Sequence, residues 1–129
     1  MKDKTKKRIL IIEDERMISR ALEDTLKFEG FEIISAENGS DGLKLALAER
    51  PDLIVLDIVL PKMNGMDMLK RLKENEDCKD IPVLILSNLS GKEKIIEAFK
   101  KGVDEYMVKS DYQIQDVVDK IRELLNIKL

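Results

Sequence analysis

Four apolar runs in this chain each end on a polar residue of a different chemical kind. Arg8-Ile9-Leu10-Ile11-Ile12 runs into Glu13 and Asp14, and Leu53-Ile54-Val55-Leu56 stops at Asp57. Ile81-Pro82-Val83-Leu84-Ile85-Leu86 stops at Ser87, and Tyr106-Met107-Val108 stops at Lys109. Brought together, three carboxylates, a hydroxyl and an ammonium can hold a divalent metal and a phosphoryl group. The acids alone would repel one another. Two like charges about 4 Å apart cost roughly 4 kcal/mol at an effective dielectric of 20. A divalent cation with oxygen ligands relieves that repulsion, and an ammonium and a hydroxyl can receive phosphoryl oxygens.

Convergence requires the four runs to be parallel strands, because ligands of open α/β sheets bind beyond the strands' carboxyl ends. Strands are expected at 8–13, 31–36, 52–57, 81–87 and 104–109, with helical periodicity between them. Met17, Ile18, Ala21, Leu22 and Leu26 form one stripe; Leu43, Ala46 and Leu47 a second; Met66, Leu69 and Leu72 a third. Ile95, Ile96 and Phe99 form a fourth, and Ile114, Val117, Val118, Ile121 and Leu125 the last. The order is β-α five times over. Continuous apolar middle strands are those of a parallel sheet covered on both faces. Right-handed crossovers then give a doubly wound, flavodoxin-like α/β fold with five strands in the order 2-1-3-4-5 and five helices. Punctuation agrees: Gly30 and Gly102 stop helices, Asn38-Gly39 and Gly42 frame the second helix start, Pro51 ends that helix, and Pro61 with Asn64-Gly65 shapes a loop after Asp57.

Composition narrows the chemistry further. The chain has 129 residues, 43% hydrophobic and 38% charged, which suits one globular domain over 1–129 with no effector domain. A net charge of −3 gives no reason to expect direct nucleic-acid binding. The basic cluster at 1–7 reads as a solvated leader. There is no histidine, so histidine bases, histidine metal ligands and phosphohistidine on this chain are excluded. Cys78, the one cysteine, lies in the polar stretch 74–80 and reads as an incidental loop residue. A lone thiol, no signal segment and no membrane-length apolar stretch point to the cytoplasm and to no membrane insertion.

The segments Ile11-Ile12-Glu13-Asp14-Glu15, Leu56-Asp57 through Asn64-Gly65, Leu86-Ser87 and Tyr106-Met107-Val108-Lys109 together resemble the receiver domain of two-component response regulators. The resemblance spans essentially the whole chain, with all four motifs in order. It implies that Asp57 accepts a phosphoryl group from a histidine kinase or phosphotransfer protein. It implies Mg²⁺ held by Asp14, Asp57 and the Val59 backbone carbonyl, with Glu13 acting through water. Lys109 and Ser87 would bind the phosphoryl oxygens, and Tyr106 would be the switch aromatic that turns inward with Ser87. The output would pass through the face made by the fourth helix, fifth strand and fifth helix to another protein. The state implied is a monomer or a phosphorylation-dependent dimer. Such a stand-alone regulator assists its own phosphorylation and dephosphorylation but is not a conventional enzyme. The alternative is a receiver-fold interaction module that works without phosphate.

Other chemistries fit less well. A haloacid-dehalogenase-like phosphatase needs a second Asp two residues after its nucleophile, where this chain has Val59. No Gly-rich phosphate loop follows the first strand. Acids there would repel a flavin phosphate.

The chain also departs from the family pattern. Ser110 stands where Pro usually follows the Lys, so a trans Lys109–Ser110 bond is expected, with Ser110 or Asp111 capping the fifth helix. Asp14 could likewise cap the first helix. Asn88 replaces a small residue, and could narrow access to Asp57 or hydrogen-bond the phosphoryl group. Val59 and Leu89 are apolar where the family uses polar groups to position attacking water, so a long-lived phosphoryl group is expected.

Overall fold

The computed structural model describes residues 6–127. Five strands, β1 (Arg8–Ile12), β2 (Glu32–Ala36), β3 (Leu53–Leu56), β4 (Val83–Ser87) and β5 (Glu105–Val108), alternate with α1 (Arg16–Phe28), α2 (Gly39–Glu49), α3 (Gly65–Lys73), α4 (Lys92–Lys100) and α5 (Ile114–Leu124). All strands are parallel, in the order β2-β1-β3-β4-β5. The flavodoxin-like topology is therefore the one expected from the apolar runs. Each expected strand is shortened by one or two residues in all, β3 and β5 at both ends. Of the basic leader, residues 1–5 lie outside the described residues, and Lys6 and Lys7 are exposed.

Strand alternation sorts the apolar side chains onto two faces. Ile9, Ile11, Leu53, Val55, Leu84, Leu86 and Met107 pack with Leu22 and Leu26 of α1 and Val117, Val118 and Ile121 of α5. Leu10, Ile12, Ile54, Leu56, Val83 and Ile85 pack on the other face against Ala46, Met68, Leu69, Leu72 and Ala98 from α2, α3 and α4. Each fully buried Leu, Ile or Val contributes about 1.5–3 kcal/mol through removal from water. The central strands are buried on both faces, which is why their runs are unbroken rather than alternating.

Several local expectations are corrected. In α1, Met17 and Ala21 are exposed, and the inward stripe narrows to Ile18, Leu22 and Leu26. In α4, Ile96 and Phe99 are exposed, and Ala98 joins the half-buried Ile95 in packing on the core. Cys78 is not an incidental loop residue. It is fully buried in the second of these cores, where its thiol donates to the Ala46 carbonyl at 3.5 Å and burial pushes its pKa up. The polar stretch around it hides a single inward side chain.

Two glycines let the elements beside the site approach closely. A Cβ on Gly65 would collide with the Asp57 carbonyl and Ile58 backbone, and one on Gly39 with the Met63 carbonyl. Gly65 N–H instead reaches the Ile58 carbonyl at 2.8 Å, closing the loop between β3 and α3. Asn64 caps α3 by accepting from Asp67 N–H at 2.9 Å, and Asn38 caps α2 by accepting from Asp41 N–H at 2.8 Å.

Candidate functional site

The sheet register sets the site. Ile12 pairs with Leu56, so the next residues, Glu13 and Asp57, emerge side by side. The ladder continues through both: Glu13 N–H donates to Ala36 O and Asp57 N–H to Ile12 O, each at 3.0 Å. Ser87 pairs with Val108, which places Lys109 one step beyond it. Ligand oxygens of Glu13, Asp14 and Asp57 all lie within 4.8 Å of one another. Asp14, Asp57, Val59, Ser87, Asn88 and Glu15 line one cleft of about 230 Å³ over this cluster. The chain thus brings together every expected site residue except Tyr106, which stands one shell away.

Lys109 organises the acids. Its side chain is 7% exposed, and its Nζ lies 2.5 Å from Glu13 Oε1 and 2.9 Å from Asp57 Oδ2. Those two carboxylates are themselves 4% and 5% exposed. Asp57 Oδ1 accepts from Val59 N–H at 3.2 Å, so both carboxylate oxygens are held. Glu13 Oε2 accepts from Glu15 N–H at 3.2 Å. Burial pushes Glu13 up to about 7, and the charge of Asp57 adds to the rise against the lowering effect of Lys109. Burial alone would pull Lys109 down, but its bonds to Glu13, Glu15 and Asp57 outweigh it and hold the ammonium above its usual range. Three converging hard oxygen donors suit Mg²⁺, Mn²⁺ or Ca²⁺ better than a thiolate-seeking metal. The acidic cluster is therefore able to bind a metal.

Ser87 is fully buried at the end of β4, and its Oγ accepts from Leu89 N–H at 3.3 Å. Tyr106 lies inward with its ring buried, and its hydroxyl donates to the Leu89 carbonyl at 2.6 Å. Burial, and secondarily the charge of Asp57, push the phenol pKa up. Asn88 is exposed at the cleft mouth, and Val59 is 60% exposed beside it.

Two expectations fail at this edge. Asp14 does not cap α1; Glu15 holds the cap position and no side chain caps it, because Asp14 joins the acidic cluster instead. Neither Ser110 nor Asp111 caps α5. Residues Lys109–Asp111 form a single 3-10 turn, and α5 starts after Gln113, whose N–H donates to Asp116 Oδ2 at 2.8 Å. One residue of the site is not evident from the sequence: Glu15, whose Oε1 lies 2.9 Å from Lys109 Nζ. A third acid directly after the Glu13-Asp14 pair was the available signal. The Lys109–Ser110 bond is trans, as the missing Pro requires, since no cis peptide occurs among the described residues.

Comparison with known proteins agrees with this geometry. The family model described as "Response regulator receiver domain" matches residues 9–122. The chain is 37% identical over 118 residues to the DNA-binding dual master transcriptional regulator RpaA of Synechocystis, covering 92% of this chain and 48% of that protein. It spans about half the length of the curated relatives it matches. A CheY-like response regulator receiver domain protein from Methanospirillum hungatei superposes with a TM-score of 0.86 at 28% identity, covering 94% of each chain. The phosphorylated cyanobacterial phytochrome response regulator RcpA superposes with a TM-score of 0.81 at 29% identity, covering 93% of this chain and 94% of that one. On fold, motif order and extent of match together, the chain belongs to the response regulator receiver domains of two-component signalling.

Proposed function

We propose that this receiver accepts a phosphoryl group on Asp57 from a phosphohistidine of a kinase or phosphotransfer protein. A carboxylate oxygen of Asp57 bonds to phosphorus as the P–N bond breaks, and the histidine nitrogen leaves with the bonding pair. The observation that carries the reading is the Lys109 ammonium buried between Glu13 and Asp57 at the carboxyl edge of the sheet. A cation there can meet charge on the transferring oxygens in a site that excludes most water.

Asp14 and Asp57, with the Val59 carbonyl and Glu13 through water, are the residues that would hold Mg²⁺, the family's usual ion. When bound, Mg²⁺ would neutralise the acids and the incoming phosphoryl oxygens. Ser87 Oγ turns from Leu89 N–H to donate to the phosphoryl group, and Tyr106 then answers through its bond to Leu89. The exposed apolar pair Ile96 and Phe99 on α4 supports an output surface along α4, β5 and α5. The added charge acts by biasing that surface between two states. A cytoplasmic location goes with this reading. The chain turns over no external product, so its chemistry is confined to gaining and losing its own phosphoryl group.

The test is direct. Incubation with acetyl phosphate and Mg²⁺, followed by intact mass measurement, should give a gain of about 80 Da that is lost in Asp57→Asn. The absence of a gain in the wild type would favour a phosphate-independent interaction module, which Asn88 at the cleft mouth and Ser110 after Lys109 would then explain.

A further inference from the structure

An ammonium has three N–H donors. In Lys109, carboxylates take all three: Glu13, Asp57 and Glu15. The three are not equivalent. Glu13 and Asp57 are almost fully buried, whereas the Glu15 side chain is 49% exposed at the rim of the cleft. A phosphoryl oxygen arriving on Asp57 needs one of these donors. Releasing Glu13 or Asp57 leaves a buried carboxylate without its cation, which is costly. Releasing Glu15 returns a carboxylate to water, and a solvent-exposed ion pair is weak.

Glu15 also has an ordinary alternative that it does not take. It stands at the cap position of α1 with an extended backbone, where a side-chain acceptor would normally bond an orphan N–H of the first turn. No such bond is made; the side chain reaches across 94 positions of sequence to Lys109 instead.

We propose that Glu15 is a positioning residue that occupies the third donor of Lys109 until a phosphoryl oxygen displaces it. The inference rests on phosphorylation at Asp57. Glu13 and Asp57 already fix Nζ, so loss of Glu15 does not mis-aim the lysine; it removes a competitor. Glu15 therefore slows phosphoryl entry. Reach matters as much as charge, because an Asp at this position would keep the negative charge but be one methylene short of Nζ.

The experiment follows phosphorylation by acetyl phosphate with Mg²⁺, read by intact mass against time. In that reaction Asp57 bonds to phosphorus as the P–O bond to acetate breaks, and acetate leaves with the bonding pair. Glu15→Gln and Glu15→Asp should both gain the phosphoryl group roughly two- to fivefold faster than wild type, the span set by an exposed ion pair. In a Lys109→Met background, Glu15→Gln should change nothing further. Melting without metal or donor gives a second reading. Glu15→Gln should lower the wild-type melting temperature by roughly 1–4 °C and should not lower that of Lys109→Met. A purely structural role at the start of α1 would lower both backgrounds equally and would overturn the proposal. So would a Glu15→Asp that matches wild type while Glu15→Gln is faster, since charge at the mouth rather than the bond to Lys109 would then be responsible. A wild type that is phosphorylated at the same rate as both variants overturns this inference alone. A wild type that gains no mass removes the phosphoacceptor reading and this inference with it.

Discussion

Replacing Lys109 by Met shortens the unbranched side chain by one heavy atom and removes its charge, leaving Glu13 and Asp57 buried without their cation. The acids' ligand oxygens lie within 4.8 Å of one another. At that separation two carboxylates repel by about 3.5 kcal/mol at an effective dielectric of 20. Breaking a buried pair by deleting one partner costs a similar roughly 3–5 kcal/mol. For 129 residues the unfolding entropy is roughly 0.27 kcal/mol/K, so a loss of about 3.5 kcal/mol lowers the melting temperature by about 13 °C. The pH dependence follows from Glu13. Its pKa is raised from 4.5 to about 7 on folding, so its contribution is fully present below 4.5 and is lost as pH rises through about 7. The raised pKa of Lys109 contributes stability that persists up to its unfolded value of 10.5, so it adds no slope between pH 5 and 8. Loss of the ammonium removes an influence that lowers Glu13, and a proton on Glu13 limits the damage at low pH. Metal-free Lys109→Met should therefore be most deficient near pH 8 and recover toward pH 5. Millimolar Mg²⁺ should recover stability at pH 8. Circular-dichroism melts at both pH values, with and without Mg²⁺, measure this. A Lys109→Met protein that melts at or above wild type at pH 8 without Mg²⁺ would refute the account of mutually repelling acids.

Other outcomes are expected from the same structure. Mg²⁺ binding should release protons between pH 4.5 and about 7 as Glu13 ionises, seen by calorimetry in buffers of different ionisation enthalpy, and affinity should fall as pH drops through that window. Gly39→Ala drives a Cβ into the Met63 carbonyl and should cost about 1–3 kcal/mol or more in urea unfolding, since backbone must move on both sides. Cys78 should react with a thiol reagent only on unfolding, because its side chain is fully buried; rapid labelling of the native protein would contradict that packing. Phosphorylated protein should lose radiolabelled phosphate slowly, since Val59 and Leu89 give attacking water no polar partner. A half-life of seconds would contradict that reading.

The sheet was legible because each strand run is apolar throughout and each ends abruptly, so strand order and the shared edge followed from connection rules alone. The positions of the acids, Ser87 and Lys109 were legible for the same reason: each follows a run by one or two residues. What escaped depends on the approach of distant elements. Met17 continues a helical stripe, yet it lies at the open end of α1 where no neighbour covers it. Cys78 is enclosed because its turn folds back against α2, as its contact with Ala46 records. Glu15 carries no signal of its own beyond following two acids, and its partner Lys109 lies 94 positions away. The start of α5 was misread because the cap position falls on Gln113, a residue type that rarely takes it, while Ser110 and Asp111 are the residue types that usually cap.

Leu89 is gripped at both ends of its own main chain, by Ser87 Oγ on its N–H and by the Tyr106 hydroxyl on its carbonyl. Neither grip involves the leucine side chain. The segment leading into α4 is thus wired to the cleft and to the edge strand through atoms that nearly every amino acid shares. Exchanging the side chain at 89 leaves this main-chain link intact, and proline, which lacks the N–H, is the substitution that would cut its cleft end. The coupling between cleft and edge strand therefore tolerates any residue at 89 that keeps its N–H and carbonyl.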